Sequence, residues 1–179
     1  MMCLDIYLNG LNSEEYNKIK KEIKTPDVIP PLLCWEFFPH AHRLRKKEAK
    51  IQTDIHSLEK LSSKYTWNIN LDQLLNENTY DALVVTDINN RIIWVNNGFY
   101  EMTGYSKTEI IDKTPVLLQG EETSKRTKKI IRDHLRNKIP VKEILINYRK
   151  DGSLYKCELN IFPLNGSGSV HFLALEREV

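Results

Sequence analysis

The chain has 179 residues, a formal net charge of +2 and 28% charged residues. That length suits one domain, or one domain with an extension, and is enough to bury a core. The near-neutral balance gives no general drive toward nucleic acid or anionic lipid, and no apolar run approaches the ~20 residues of a membrane span.

The N-terminus lacks a basic region followed by an apolar block, so no signal peptide is expected. Cys3, Cys34 and Cys157 are scattered and not at metal-ligand spacing, which fits a reducing cytoplasm. Asn12-Ser13-Glu14-Glu15 reads as a helix start, and that helix should stop before Pro26. The prolines of residues 25–31 predict an extended segment. The apolar run Leu32-Leu33-Cys34-Trp35-Glu36-Phe37-Phe38 must pack on something, either the body of the protein or a second chain. From Ala41 the pattern turns helical, with Leu44, Ile51, Ile55, Leu58 and Leu61 on one stripe. Arg43, Arg45, Lys46, Lys47 and Lys50 read as its solvated face. His40-x-His42 lacks a neighbouring carboxylate or cysteine cluster, so no metal site is expected there.

Tyr80 to Gly104 is the stretch around which the rest is organised. Ala82–Thr86 and Arg91–Val95 are β-rich runs separated by Asp87-Ile88-Asn89-Asn90, which predicts a hairpin. Asn96 and Asn97 break the second run and favour a cap. A short helix then carries Phe99 and Met102 at i and i+3 and ends on Gly104. Further on, Glu122–Asn137 predicts a long helix with Ile130, Ile131 and Leu135 inside and its cations in solvent.

A hairpin followed by a helix ending Thr-Gly-Tyr resembles the start of a PAS domain. The order of Tyr105–Ile111, Asn147-Tyr148-Arg149-Lys150-Asp151-Gly152 and Phe172–Val179 strengthens the resemblance, which covers residues 80–179. It implies an α+β fold: a five-stranded antiparallel sheet with helices on one face, preceded by a helical N-terminal extension over 1–79. Strands are then expected at 82–86, 91–95, 141–148, 154–164 and from 170 onward, with Asp151-Gly152 as a tight turn. The run Lys113-Thr114-Pro115-Val116-Leu117-Leu118-Gln119-Gly120 resembles the flavin-binding LOV branch most closely.

In that branch the motif Asn-Cys-Arg-Phe-Leu-Gln holds FMN, and its thiol forms a light-driven adduct. The run aligned here is Thr114, Pro115, Val116, Leu117, Leu118 and Gln119. Proline offers no thiol, and valine offers no bidentate phosphate contact. Of the other polar positions the resemblance implies, Asn147 matches, Cys157 stands for a second asparagine, and Glu176 stands for a glutamine. The candidate ligand-binding set is therefore Thr114, Pro115, Gln119, Asn147, Cys157 and Glu176. Leu117, Leu118, Ile131, Ile146 and Phe162 are expected to make the pocket apolar, so FMN should bind weakly or not at all. Cys157 reads as a small buried hydrophobe, and His134 as a packed residue rather than a haem ligand.

No Gly-rich phosphate loop, catalytic triad motif or His-Glu-x-x-His is present, so no enzymatic activity is expected. The resemblance implies a stand-alone sensory or protein-interaction module of a bacterial-type signalling pathway. It would be homodimeric through its extension, take a small-molecule ligand, and pass its signal to a partner protein. One alternative is a flavin photoreceptor that works without the cysteine; another is a purely structural dimerisation module with a filled core.

Overall fold

Ala82–Thr86 is a run of apolar and β-branched residues, and all five are buried. A strand alternates its side chains between two faces, so complete burial means that both faces of the sheet are covered here. A computed structural model accounts for this; it describes the backbone from Phe37 and the side chains from Glu48 to Val179. The readings for residues 1–36, and for the side chains of Phe37, Phe38, His40, His42 and Leu44, lie outside the described residues. Lys46–Val179 form one compact unit.

The described helices and strands follow in chain order. Helix α1 spans Phe37–Tyr65 and α2 spans Leu71–Glu77. Strands β1 (Ala82–Thr86) and β2 (Ile92–Val95) form the hairpin. Three short helical pieces come next: α3 (Asn97–Thr103), α4 (Lys107–Ile110) and a 3-10 turn at Pro115–Leu118. Helix α5 covers Lys125–Asn137. Strands β3 (Val141–Tyr148), β4 (Leu154–Asn165) and β5 (Val170–Glu178) close the chain. The five strands form one antiparallel sheet in the order β2-β1-β5-β4-β3.

The hairpin turn is built by one side chain. Asp87 Oδ1 accepts the N–H groups of Asn89 (2.9 Å) and Arg91 (2.8 Å), and Asn90 takes a positive φ of 59°. The pairing register shifts between Val85 and Thr86, and β2 starts at Ile92, one residue later than the sequence predicts. Asn96 Oδ1 caps α3 through Phe99 N–H, and Gly104 ends it in the left-handed conformation with φ 77°. At Gly98 a Cβ would stand 1.8 Å from the Asp81 carbonyl oxygen, so only glycine lets α3 pass this close to β1.

Helix α5 begins later than the expected Glu122. Thr123 Oγ1 donates to the Ile146 carbonyl (2.7 Å) and accepts Gly120 N–H (3.0 Å), while Tyr148 Oη accepts Glu122 N–H (3.0 Å). These bonds hold residues 120–123 on β3 and leave Ser124 as the N-cap, accepting Thr127 N–H at 3.2 Å.

Two hydrophobic clusters lie on opposite faces of the sheet. One unites Val84, Ile92, Phe99, Ile110, Leu118 and Phe172 under the helices that follow β2. The other joins Leu83, Val85, Leu173 and Leu175 to Ile55, Leu58, Trp67, Leu71 and Leu75 of the N-terminal helical layer. Ile55 and Leu58, expected at a dimer surface, are thus covered by the chain's own sheet, with Leu58 0% exposed. The continuous apolar runs of β1 and β5 require that cover, since Leu83, Leu173 and Leu175 would otherwise face water.

Candidate functional site: a cavity between sheet and helix

A cavity of about 510 Å³ opens between the inner face of the sheet and α5. That is a typical size for a small-molecule site. Val84, Leu145, Ile161, Phe172 and Ala174 supply an apolar floor. Pro115, Val116, Leu118 and Gln119 of the 3-10 turn line one side, and Ile131 and Leu135 of α5 another. Leu118 and Ile131 are therefore where the sequence expects them. Ile146 and Phe162 are not among the lining residues, because the alternation of β3 and β4 assigns the inward positions to Leu145, Asn147 and Ile161; Phe162 joins the opposite cluster. Leu117 packs against the inner core instead.

Two polar side chains project from the sheet into this apolar surface. Asn147 on β3 is 5% exposed; its Nδ2 reaches Tyr155 Oη only at 3.5 Å, and its Oδ1 has no hydrogen-bond partner. Glu176 on β5 is 4% exposed, and its Oε2 has no partner either. Hydrogen bonds from Asn147 or Gln119 would be the local way to relieve that carboxyl, and neither reaches Oε2. With burial as the cause, its pKa is pushed up to about 7. Buried polar atoms are nearly always paired; these two acceptors have no partner among the described residues.

The other candidates fall differently. Gln119 and Pro115 line the cavity, while Thr114 is an exposed residue before the 3-10 turn and does not line it. Cys157 is fully buried in the inner core and is not a lining residue. Burial pushes its thiol pKa up, as it does the Tyr155 hydroxyl, so neither ionises near neutrality. His134 Nδ1 lies 2.8 Å from the Ile130 carbonyl of its own helix and does not line the cavity. It is half-buried, held to its own helix rather than to the core.

The rim carries what the sequence reading missed. Lys128, Arg132 and Arg136 of α5, with Lys138 just after it, line the cavity. Their spacing of i, i+4 and i+8 was the available signal, since it puts three cations on one helix face. That face is solvated, with Arg132, Arg136 and Lys138 exposed, and it also borders the cavity mouth.

Residues 81–178 match the family model described as PAS domain. The chain belongs to the PAS family. Its curated relatives include a blue-light photoreceptor of Listeria innocua, 36% identical over 102 residues, covering 55% of this chain and 40% of the relative. A nitrogen fixation regulatory protein of Klebsiella oxytoca is 34% identical over 100 residues, covering 55% of this chain and 20% of the relative. The chain thus spans less than half the length of these relatives. Among solved structures, the LOV domain of the Erythrobacter litoralis blue-light activated histidine kinase is similar with a TM-score of 0.53 at 28% identity. That match covers 57% of this chain and 98% of the LOV domain. The chain stands close to the LOV branch, and no helix among the described residues is long and apolar enough to cross a membrane.

The flavin of that branch can be tested against these side chains. A reactive thiol is missing from the site, since Pro115 lines the cavity and Cys157 does not. Val116 is 60% exposed and offers no donor to a phosphate. The residues present do not fit a flavin that forms a cysteine adduct. For a non-covalent flavin they supply an acceptor at Asn147 and rim cations from α5.

Proposed function

We propose that this PAS protein is a non-catalytic, cytoplasmic sensory module whose cavity binds a small molecule and whose state is relayed to a partner protein. The orphaned Asn147 Oδ1 and Glu176 Oε2 in the cavity carry this reading, because a filled structural core would pair them. Native mass spectrometry of the purified chain is expected to show a bound small molecule. A chain that carries none, and whose thermal midpoint no metabolite class moves, would point to a structural module instead.

The second reading is a flavin sensor working without adduct formation. Lys128, Arg132 and Arg136 favour it, since they offer a phosphate the charge that Val116 lacks. An absorbance spectrum separates the two. Blue-absorbing bands mean flavin, and a Soret band means haem. On the first reading, FMN added in excess is expected to be lost on gel filtration. Stoichiometric yellow colour retained by the protein would install the flavin reading in its place.

The module is proposed to work as a homodimer. With Ile55 and Leu58 covered by the sheet, the apolar run of Leu32, Leu33, Trp35, Phe37 and Phe38 is the sequence's candidate for pairing. Light scattering at micromolar concentration is expected to return twice the chain mass of 21.0 kDa. A single chain mass would end this part of the proposal.

A further inference from the structure

The cavity is electrically asymmetric. At its buried end Glu176 presents a carboxyl that no cation contacts, with Oε2 unpartnered and the side chain walled by Ala174 and Phe172. At its mouth stand Lys128, Arg132 and Arg136. Helix α5 packs on β3, and Glu176 lies on β5, two strands away across β4. Neighbouring strands are ~4.8 Å apart, so β5 lies roughly 10 Å from the strand under α5. Leu145, Leu159 and Ile161 supply apolar wall between them.

We propose that the cavity selects a dipolar ligand, with a cationic or multiply N–H-donating group at Glu176 and an anionic group at the Lys128, Arg132 and Arg136 rim, held apart by an apolar body. This rests on the reading of the cavity as a ligand site. An orphaned carboxyl in an apolar wall gains most from a ligand that brings both charge and donors, and a charge-assisted bond there is strong because water is excluded. The rim cations are partly hydrated and pair with an anion at small desolvation cost. A ligand with only one of the two charges leaves either the carboxyl or the rim unanswered. An α-amino acid head group carries both charges on one carbon and does not span the separation.

The proton on Glu176 belongs to the same device. Its other titratable and charged neighbours are Tyr155 and Cys157 on β4, both kept protonated by burial, Asp81 at the start of β1, Arg149 over the Tyr155 ring at 4.5 Å, and the cations of the rim. None of them hydrogen-bonds Oε2. A cationic ligand selects the ionised carboxylate, so affinity falls as pH drops through about 7.

The test uses the full chain and calorimetric titration with three probes. In 4-guanidinobenzoate a benzene ring separates a guanidinium from a carboxylate; benzoate lacks the cation, and benzamide is uncharged. The expected result is binding of 4-guanidinobenzoate at pH 8, weakened about tenfold in Glu176→Gln and in Arg132→Ala, which is the loss of one charge-assisted contact. The weakening on going to pH 6 should be present in the parent chain and absent in Glu176→Gln. Glutamine is nearly isosteric, so folding of the variant is not at stake, and its thermal midpoint checks this. Binding of benzamide but not of 4-guanidinobenzoate would overturn the dipolar assignment and leave the ligand site standing. Equal affinity of 4-guanidinobenzoate for the parent and Glu176→Gln would overturn it too. Silence from all three probes, with no bound molecule in the native mass spectrum, would remove both.

Discussion

Asn96→Ala is expected to destabilise the compact unit by about 3 kcal/mol, a large share of the ~5–15 kcal/mol available to a domain. Asn96 is 2% exposed and sits where three elements meet. Its Oδ1 accepts Leu83 N–H of β1 (2.9 Å) and Phe99 N–H of α3 (3.2 Å). Its Nδ2 donates to Asp54 Oδ2 of α1 at 2.9 Å, and that same oxygen accepts the Tyr80 hydroxyl at 3.2 Å. Alanine removes the helix cap, worth ~1 kcal/mol. It also leaves a buried strand N–H and a buried carboxylate short of a partner, at ~1–3 kcal/mol each. These losses are not additive, so the sum is held near the lower end. Asp54 is buried too, and burial together with this carboxylate pushes the Tyr80 hydroxyl pKa up. Urea unfolding of Asn96→Ala, Asp54→Ala and the double variant measures the coupling, expected at 1–3 kcal/mol. A loss below 1 kcal/mol in Asn96→Ala, with additive effects in the double variant, would show that α1 is held by its apolar packing rather than by this network.

The same network shows what a single sequence discloses and what it withholds. Asn96 is readable as a cap because a short amide at the end of a β-run, three residues before Phe99, has a local partner. Its bond to Asp54 spans 42 residues and leaves no local trace. The strands were legible for the same local reason: β1 and β3 fall where the β-rich runs begin and end. The start of α5 was not, because Thr123 is diverted to a carbonyl 23 residues away on β3. Burial of both sheet faces was latent in the continuous run of Ala82, Leu83, Val84 and Val85, since a half-exposed strand would alternate. In the site, Gln119, Asn147 and Glu176 were reached through the family resemblance, and alternation alone fixes the side of the sheet that Glu176 shares with Phe172 and Ala174. The rim cations were visible as a charged stripe. Whether such a stripe meets bulk water or a cavity mouth depends on the packing of α5 against β3, which periodicity does not encode.

The stability of this protein is expected to fall as pH rises from about 4.5 to about 7, with Glu176 responsible. The carboxyl has an ordinary pKa of 4.5 when the chain is unfolded and one of about 7 when buried. A raised folded-state pKa means that the native chain holds a proton the unfolded chain has released. Between the two values the unfolded state binds fewer protons, so stability declines with rising pH. The contribution is fully present below 4.5 and fully lost above 7. A separation of that size corresponds to roughly 3 kcal/mol at 1.36 kcal/mol per pH unit. The group is fully buried, so little solvent screening reduces it. Glu176→Gln keeps the size and a hydrogen-bonding head without the ionisation. It is therefore expected to match the parent near pH 4.5 and to exceed it by roughly 3 kcal/mol at pH 8. Asn147→Ala should leave the pH dependence in place, because Asn147 makes no hydrogen bond to Glu176 Oε2. Chemical unfolding across this range, paired with NMR titration of the Glu176 carboxyl carbon, is the measurement. A carboxyl that titrates at its ordinary value, and a variant whose stability runs parallel to the parent at every pH, would mean that water reaches Glu176 and the cavity is wet at its inner end.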